Sequence, residues 1–142
     1  MSRTALRRLL IGLELFLALG AFYGSLSLLN DPTGRGLHMP LDVLKGTPFD
    51  NYLVPAIILF GVNGMVPLVT VIATVMGFPW AKYGHIAVGA LLTGWMVGQA
   101  ALVGFSAPIQ YVYLLLGFVI LALGLLFWNQ ERPGHGGPLL PA

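Results

Sequence analysis

The chain has 142 residues, of which 57% are hydrophobic and only 8% charged, and its mean hydropathy is +0.86. Soluble domains carry about 25% charged residues, so most of this surface is suited to lipid rather than water. Cysteine is absent, which excludes disulfides, thiol redox chemistry, iron–sulfur clusters and thiolate metal sites. The net charge of +2 arises from scattered basic residues that form no nucleic-acid-binding stripe.

Four apolar stretches predict transmembrane helices, one after another along the chain. About 20 residues at 1.5 Å rise cross the roughly 30 Å hydrocarbon core of a bilayer. The first stretch continues well past the usual apolar core of a signal peptide, so we expect it to remain as a span. The predicted spans are residues 9–29, 52–76, 84–104 and 109–128.

The connection between the first two spans is the only long one, and it contains signals for a short helix. Pro40 stands where that helix would begin and Gly46 where it would end. Residues 131–142 are rich in Pro and Gly, which favours a flexible C-terminal tail. The expected fold class is an all-α membrane protein, a four-transmembrane-helix bundle in one domain over residues 1–130, with a short helix in the outer loop.

Lys and Arg flank the spans unevenly. The N-terminus, the connection at Lys82 and the tail hold five of the seven basic residues, while the other two connections hold Arg35 and Lys45. Cytoplasmic flanks carry the excess of Lys and Arg in membrane proteins. The split predicts a multi-pass protein with both termini in the cytoplasm.

Glu14 is the only ionisable residue clearly inside a span, about 8 Å from the cytoplasmic end. A buried carboxyl group in a membrane is costly and needs an explanation. It could reach the headgroups or be protonated, it could be a proton or cation site, or it could pair with another helix. His85 lies near the same end of the third span, and if it faces Glu14 the two could exchange a proton.

Helical spacing places polar or small residues on one face of every span. The candidate polar intramembrane site consists of Glu14, Asn63, His85 and Gln99. Pro67 removes the usual donor to the Asn63 carbonyl, which predicts either a packing kink or a small polar cavity. The expected inward faces are Glu14, Ala18, Ala21 and Ser25; Asn63, Pro67, Thr70 and Thr74; His85, Gly89, Leu92, Met96 and Gln99; and Gln110, Tyr113, Gly117 and Gly124.

Two runs of small residues predict close helix contacts. They are Gly20-x-x-x-Gly24 in the first span and Ala90-x-x-x-Gly94-x-x-x-Gly98 in the third. Packing inside the bundle is the favoured interpretation, and a dimer interface is the alternative.

Cofactor sites find little support in the sequence. The histidines lie in the outer loop, at the inner end of the third span and in the tail, so no two can ligate a haem together. Asp31, His38, Asp42 and Asp50 in the outer loop match no metal-binding motif. No nucleophile elbow, phosphate loop or spaced acidic pair is present. We expect no cofactor, no metal and no catalytic residue.

Several short motifs resemble those of small uncharacterised bacterial four-helix membrane proteins, broadly the DoxX-like group. The resemblance implies a bacterial inner-membrane protein with no established activity, so no site residue follows from it. The small multidrug resistance family is similar in architecture alone, with four helices and one Glu in the first. The motifs are Asp31-Pro32-x-Gly34-x-x-Leu37, Leu44-x-x-x-Pro48-Phe49-x-x-Tyr52-Leu53-x-Pro55, Asn63-Gly64 and Gly94-Trp95-x-x-x-Gln99.

Three functions follow as hypotheses. The first is a non-enzymatic inner-membrane protein, such as an accessory subunit, that binds a partner protein, a second copy, lipid or a small apolar molecule. The second is a small proton-coupled transporter or channel that uses Glu14, and the third is a membrane enzyme acting on lipid or quinone. Nucleic acid is not an expected partner.

Overall fold

The computed structural model describes residues 2–37, 39–104 and 108–131, and these residues form helices and loops without a strand. Four helices are long and apolar enough to cross a membrane. This confirms the predicted bundle of four transmembrane helices. They are α1 (Arg3–Asn30), α2 (Leu53–Met76), α3 (Ala81–Val103) and α4 (Pro108–Glu131).

Helix α1 begins at Arg3, earlier than the apolar pattern predicts, because Ser2 caps it. The Ser2 hydroxyl accepts a hydrogen bond from the Ala5 N–H at 3.1 Å, which satisfies one of the free donors of the first turn. At 28 residues the helix is about 42 Å long, so it extends beyond the hydrocarbon core. We call the end of the bundle where α1 begins and α4 ends the terminal end, and the opposite end the loop end.

Helix α2 contains a π-helical segment at Leu59–Met65, just before Pro67. Pro67 has no N–H to donate to the carbonyl four residues earlier, at Asn63. The N–H of the preceding residue, Val66, bonds to the carbonyl of Gly61, five residues earlier, which is the hydrogen-bond pattern of a π-helix. The helix ends at Gly77, which adopts a left-handed conformation with φ of 79°. The Pro67 interruption predicted from the sequence is thus a widened turn in a continuous helix.

The contact between α3 and α4 depends on glycines. A Cβ on Gly89 would lie 2.4 Å from the backbone nitrogen of Leu121, and one on Gly117 would lie 2.7 Å from the Thr93 hydroxyl. No real Cβ approaches that closely, so larger residues would force the helices apart. Close backbone contact is the main means of helix association in a bilayer.

The inward faces predicted for α1 and α2 are confirmed. On both helices the residues spaced by three or four positions are buried, and they bring the polar groups of the two helices together. The buried residues are Glu14, Ala18, Ala21 and Ser25 on α1, and Asn63, Pro67, Thr70 and Thr74 on α2. On α3, His85, Gly89, Leu92 and Met96 of the predicted inward face are buried as well.

The small-residue run on α3 faces outward, so the prediction of internal packing is wrong for it. Ala90, Gly94 and Gly98 are exposed, and a Cβ on either glycine would meet nothing within 4 Å. The helix turns its other side to the bundle because His85 and the buried apolar residues one and two turns later lie there. Gly20 on α1 does pack inside the bundle, against the Tyr113 hydroxyl.

The outer loop contains two short 3₁₀ helices, Arg35–Leu37 and Leu41–Leu44, the second within the predicted short helix. The Tyr52 hydroxyl donates to the Pro40 carbonyl at 2.7 Å and ties this loop to the start of α2. The N–H and hydroxyl of Thr33 both donate to Asp31, which holds the pKa of that carboxyl below its usual value. Of the predicted tail, Glu131 ends α4 and residues 132–142 lie outside the described residues.

Candidate functional site

Glu14 and His85 meet inside the bundle. Glu14 lies on α1 and His85 in the second turn of α3, and the Glu14 Oε2 and His85 Nδ1 atoms are 2.7 Å apart. Both side chains are 0% exposed. Of the three interpretations of Glu14, the structure therefore supports pairing with another helix and opposes a carboxyl group that reaches the headgroups.

Thr74 on α2 contacts the other nitrogen of the same imidazole. Its hydroxyl lies 3.2 Å from His85 Nε2 and donates to the Thr70 carbonyl at 2.7 Å. A hydroxyl has only one hydrogen, and the shorter bond to Thr70 uses it. His85 Nε2 must then carry a hydrogen and donate to Thr74.

This assignment leaves one proton between Glu14 and His85. With Nε2 protonated, Nδ1 either carries a second hydrogen and donates to a carboxylate, or accepts the hydrogen of a neutral carboxyl group. The pair has zero net charge in both arrangements. Zero charge makes the pair tolerable inside a membrane, where a single uncompensated charge is expensive.

Helix packing fixes the position of the imidazole. A Cβ on Gly124 of α4 would lie 3.0 Å from the backbone carbonyl carbon of His85, so α4 passes directly over this turn of α3. The Phe127 ring contacts the imidazole edge to face at 5.1 Å between ring centres. On the other side, Gly84 allows α3 to approach the Thr70 side chain of α2. All four helices therefore contribute to the site.

A cavity of about 410 Å³ opens at the terminal end and reaches Thr74. Its walls include the basic side chains of Arg3, Arg7 and Lys82 together with Phe127. The Arg7 guanidinium is partly buried and donates to the Thr74 carbonyl at 2.8 Å. Thr74 thus contacts Arg7 through its carbonyl and His85 through its hydroxyl.

Asn63 is buried on α2 near the middle of the bundle. It is 1% exposed, and neither polar atom of its side chain has a hydrogen-bond partner among the described residues. The same is true of Glu14 Oε1. Buried polar atoms are normally bonded to protein or to water, so each of these two positions has the polarity to bind a water molecule.

Gln99 does not join the site. It lies fourteen residues after His85 on α3, about 21 Å along the helix. Its side chain accepts a hydrogen bond from Gln110 at 3.4 Å, at the loop end. Of the four candidate residues, Glu14 and His85 therefore form a pair, whereas the Asn63 and Gln99 amides lie apart from it.

Two residues of the site, Thr74 and Arg7, are not among the site residues that the sequence predicts. Helical spacing predicts Thr74 on the inward face of α2, but nothing in the sequence indicates its bond to His85. The sequence pattern gives Arg7 a role only as a basic residue that sets the topology. Among the described residues, no group of three or more His, Cys, Asp or Glu side chains is arranged to hold a metal ion.

Comparisons with protein-family models, with curated proteins and with solved structures return no match. The function must therefore be argued from the bundle and its buried pair.

We expect Glu14→Gln to fold with nearly the stability of the parent protein. The Gln amide can donate to His85 Nδ1 while Nε2–H still bonds Thr74, so every polar atom of the imidazole keeps a partner. Glu14→Ala should instead lower the free energy of unfolding by about 3–5 kcal/mol, because it leaves the buried imidazole without its partner. Thermal unfolding in a mild detergent measures both variants. Equal losses for the two would contradict the pairing.

Proposed function

We propose that this protein is a small proton-linked transporter or channel, with the Glu14–His85 pair as its proton site. The observation that carries the proposal is the fully buried carboxyl–imidazole contact of 2.7 Å, which connects through Thr74 to a cavity at the terminal end. Intramembrane ionisable residues that pair inside a bundle mark ion and proton pathways in general.

Proton transfer needs groups that change protonation state without a large change in structure. The imidazole offers two nitrogens on opposite sides of one ring, facing Glu14 and Thr74. Nε2 can release its hydrogen on the cavity side as Nδ1 takes the proton of the Glu14 carboxyl group, and Nε2 can then take up the next proton from the cavity side. The ring stays in place because Phe127 and the backbone at Gly124 hold it.

Beyond the pair, polar atoms continue toward the centre of the membrane. Glu14 Oε1 and the Asn63 amide are buried without hydrogen-bond partners among the described residues. Asn63 lies within the π-helical segment Leu59–Met65 of α2, farther from the terminal end than Glu14, and such segments occur frequently at functional sites. Bound water in this region would extend the route from the terminal end past Glu14.

The proposal includes an orientation and a location. In the sequence, the N-terminus, the connection at Lys82 and the tail hold five of the seven Lys and Arg residues. This uneven distribution favours a cytoplasmic terminal end and an external loop end. The resemblance to small bacterial four-helix proteins favours the bacterial inner membrane. The cavity would then open to the cytoplasm.

Cysteine labelling tests the orientation, and the parent protein supplies no background because it has no Cys. Asp50→Cys, in the exposed part of the outer loop, should react with a membrane-impermeant maleimide on intact cells. Ser2→Cys, at the terminal end, should react only after the cells are opened. The reverse pattern would show that the cavity opens to the outside.

Proton movement tests the function. In vesicles that enclose a pH-sensitive dye and carry an imposed membrane potential, the parent protein should admit protons faster than protein-free vesicles do. Glu14→Gln should fall to the protein-free rate because its side chain cannot exchange a proton. Ser25→Ala is the matched control, since Ser25 is buried on the same face of α1 and bonds only its own helix at Phe22.

Ser25→Ala should keep the parent rate. If the parent and Glu14→Gln admit protons equally, Glu14 has no part in proton movement and the proposed function is wrong.

The binding of a partner protein is a second candidate function, and one observation favours it. Ala90, Gly94 and Gly98 form an outward strip on α3 of the kind that lets another helix approach closely. An accessory subunit or a second copy of this chain would use that strip. Efficient oxidative crosslinking of Gly94→Cys, together with proton entry unaffected by Glu14→Gln, would favour this candidate over the first.

A further inference from the structure

Basic side chains line the cavity at the terminal end. Arg3, Arg7 and Lys82 line it, and none of its lining residues that the structure describes is acidic. Helix α3 begins at its edge, at Ala81, with no side-chain cap on its first turn. The positive end of the helix dipole therefore adds to the charge of the basic side chains.

Arg7 differs from an ordinary flanking arginine. Its side chain is partly buried, and among the described residues its only hydrogen bond runs to the Thr74 carbonyl. A guanidinium has five N–H donors in a planar fork that matches phosphate and carboxylate groups. The bond to Thr74 fixes the fork at the cavity wall and leaves donors for an anion.

The remaining walls suit an anion with an apolar part. Phe78, Pro79 and Phe127 form apolar surface in the same cavity. The volume of about 410 Å³ lies within the roughly 300–1,000 Å³ range of small-ligand pockets. A bare inorganic ion would leave the apolar surface unused, whereas a phosphate ester would contact both kinds of wall.

We propose that this cavity binds the phosphate group of a phosphate ester through Arg7, and that Thr74 couples phosphate binding to the protonation of the Glu14–His85 pair. The phosphate could belong to a membrane lipid or to a soluble ester. The binding site stands on the cavity alone, while the coupling rests on the proposed proton function.

The coupling has a definite sign. The pair is neutral with one shared proton and becomes cationic when it binds another, and a phosphate anion near Thr74 favours the cationic form. By linkage, phosphate binding should strengthen as pH falls. Among the described side chains, the charged groups that line this cavity are Arg3 and Arg7 on α1 and Lys82 on α3. Helix α2 has no charged residue, and α4 contacts His85 at Phe127 and Gly124 and has one charged residue, Glu131, at its last position.

Two phosphodiesters test binding, because each keeps a single negative charge over the pH range of interest. Dimethyl phosphate represents a soluble ester and dioctanoyl phosphatidylglycerol a lipid, with zwitterionic dioctanoyl phosphatidylcholine as the comparison. Calorimetric titration of the protein in a neutral detergent should show binding of the phosphatidylglycerol in preference to the phosphatidylcholine. Binding of dimethyl phosphate as well would identify a soluble ester as a sufficient ligand. Binding of the lipid alone would identify a lipid headgroup.

Arg7→Gln should weaken binding about tenfold or more, the loss expected for a charge-assisted hydrogen bond. Arg8→Gln is the matched control, because it removes the same charge one residue away from an exposed side chain that does not line the cavity. It should bind like the parent. Equal weakening in both variants, or no binding of either phosphodiester by the parent, would overturn the site.

Glu14→Gln separates the site from the proton function. It should bind phosphodiester at high pH like the parent. The double variant with Glu14→Gln and His85→Gln, in which neither side chain of the pair can bind a proton, should lose the increase in affinity at lower pH. If the parent binds phosphodiester through Arg7 with no dependence on pH, the coupling is wrong and the binding site stands. If the pH dependence is present but Glu14→Gln still admits protons at the parent rate, the proposed transport function fails while the coupled site stands.

Discussion

A carboxyl group and an imidazole that face each other inside a membrane are stable only together. Separately, each would be buried without a partner in a medium where charge is expensive and unsatisfied polar atoms cost several kcal/mol. Paired at 2.7 Å, Glu14 and His85 hold one proton between them and have no net charge. The orientation of α1 and α3, the close approach of α4 and the position of Thr74 all follow from keeping this contact intact.

The packing of α3 around the pair depends on glycines as well as on its buried apolar side chains. Gly84 admits the Thr70 side chain, and Gly89 admits the backbone of α4 at Leu121. Gly124 lets α4 cross directly over His85. Without water to drive apolar side chains together, such close approach supplies the dispersion contacts that hold the bundle. A rigid imidazole with both nitrogens bonded is the result.

The sequence predicts the spans and the polar faces of α1 and α2 because hydropathy and helical spacing depend only on local order. It also selects Glu14 and His85, whose side chains are costly in a bilayer. It also predicts His85, Gly89, Leu92 and Met96 on the inward face of α3, where they are buried. The small residues Ala90, Gly94 and Gly98 lie on the opposite side of the same helix, so the prediction that they pack inside the bundle conflicts with that face and is wrong. The sequence does not predict the bonds of Thr74 and Arg7, because these bonds join residues on different helices.

Nitrogen NMR of the His85 ring in bilayers tests the shared proton most directly. The three histidines are few enough to label, and His85→Gln assigns the signal. The account predicts a protonated Nε2 near neutral pH, with a strongly hydrogen-bonded proton at Nδ1 that disappears in Glu14→Gln while Nε2 stays protonated. An unprotonated Nε2 that accepts the Thr74 hydroxyl hydrogen, with Nδ1 unchanged in Glu14→Gln, would contradict it.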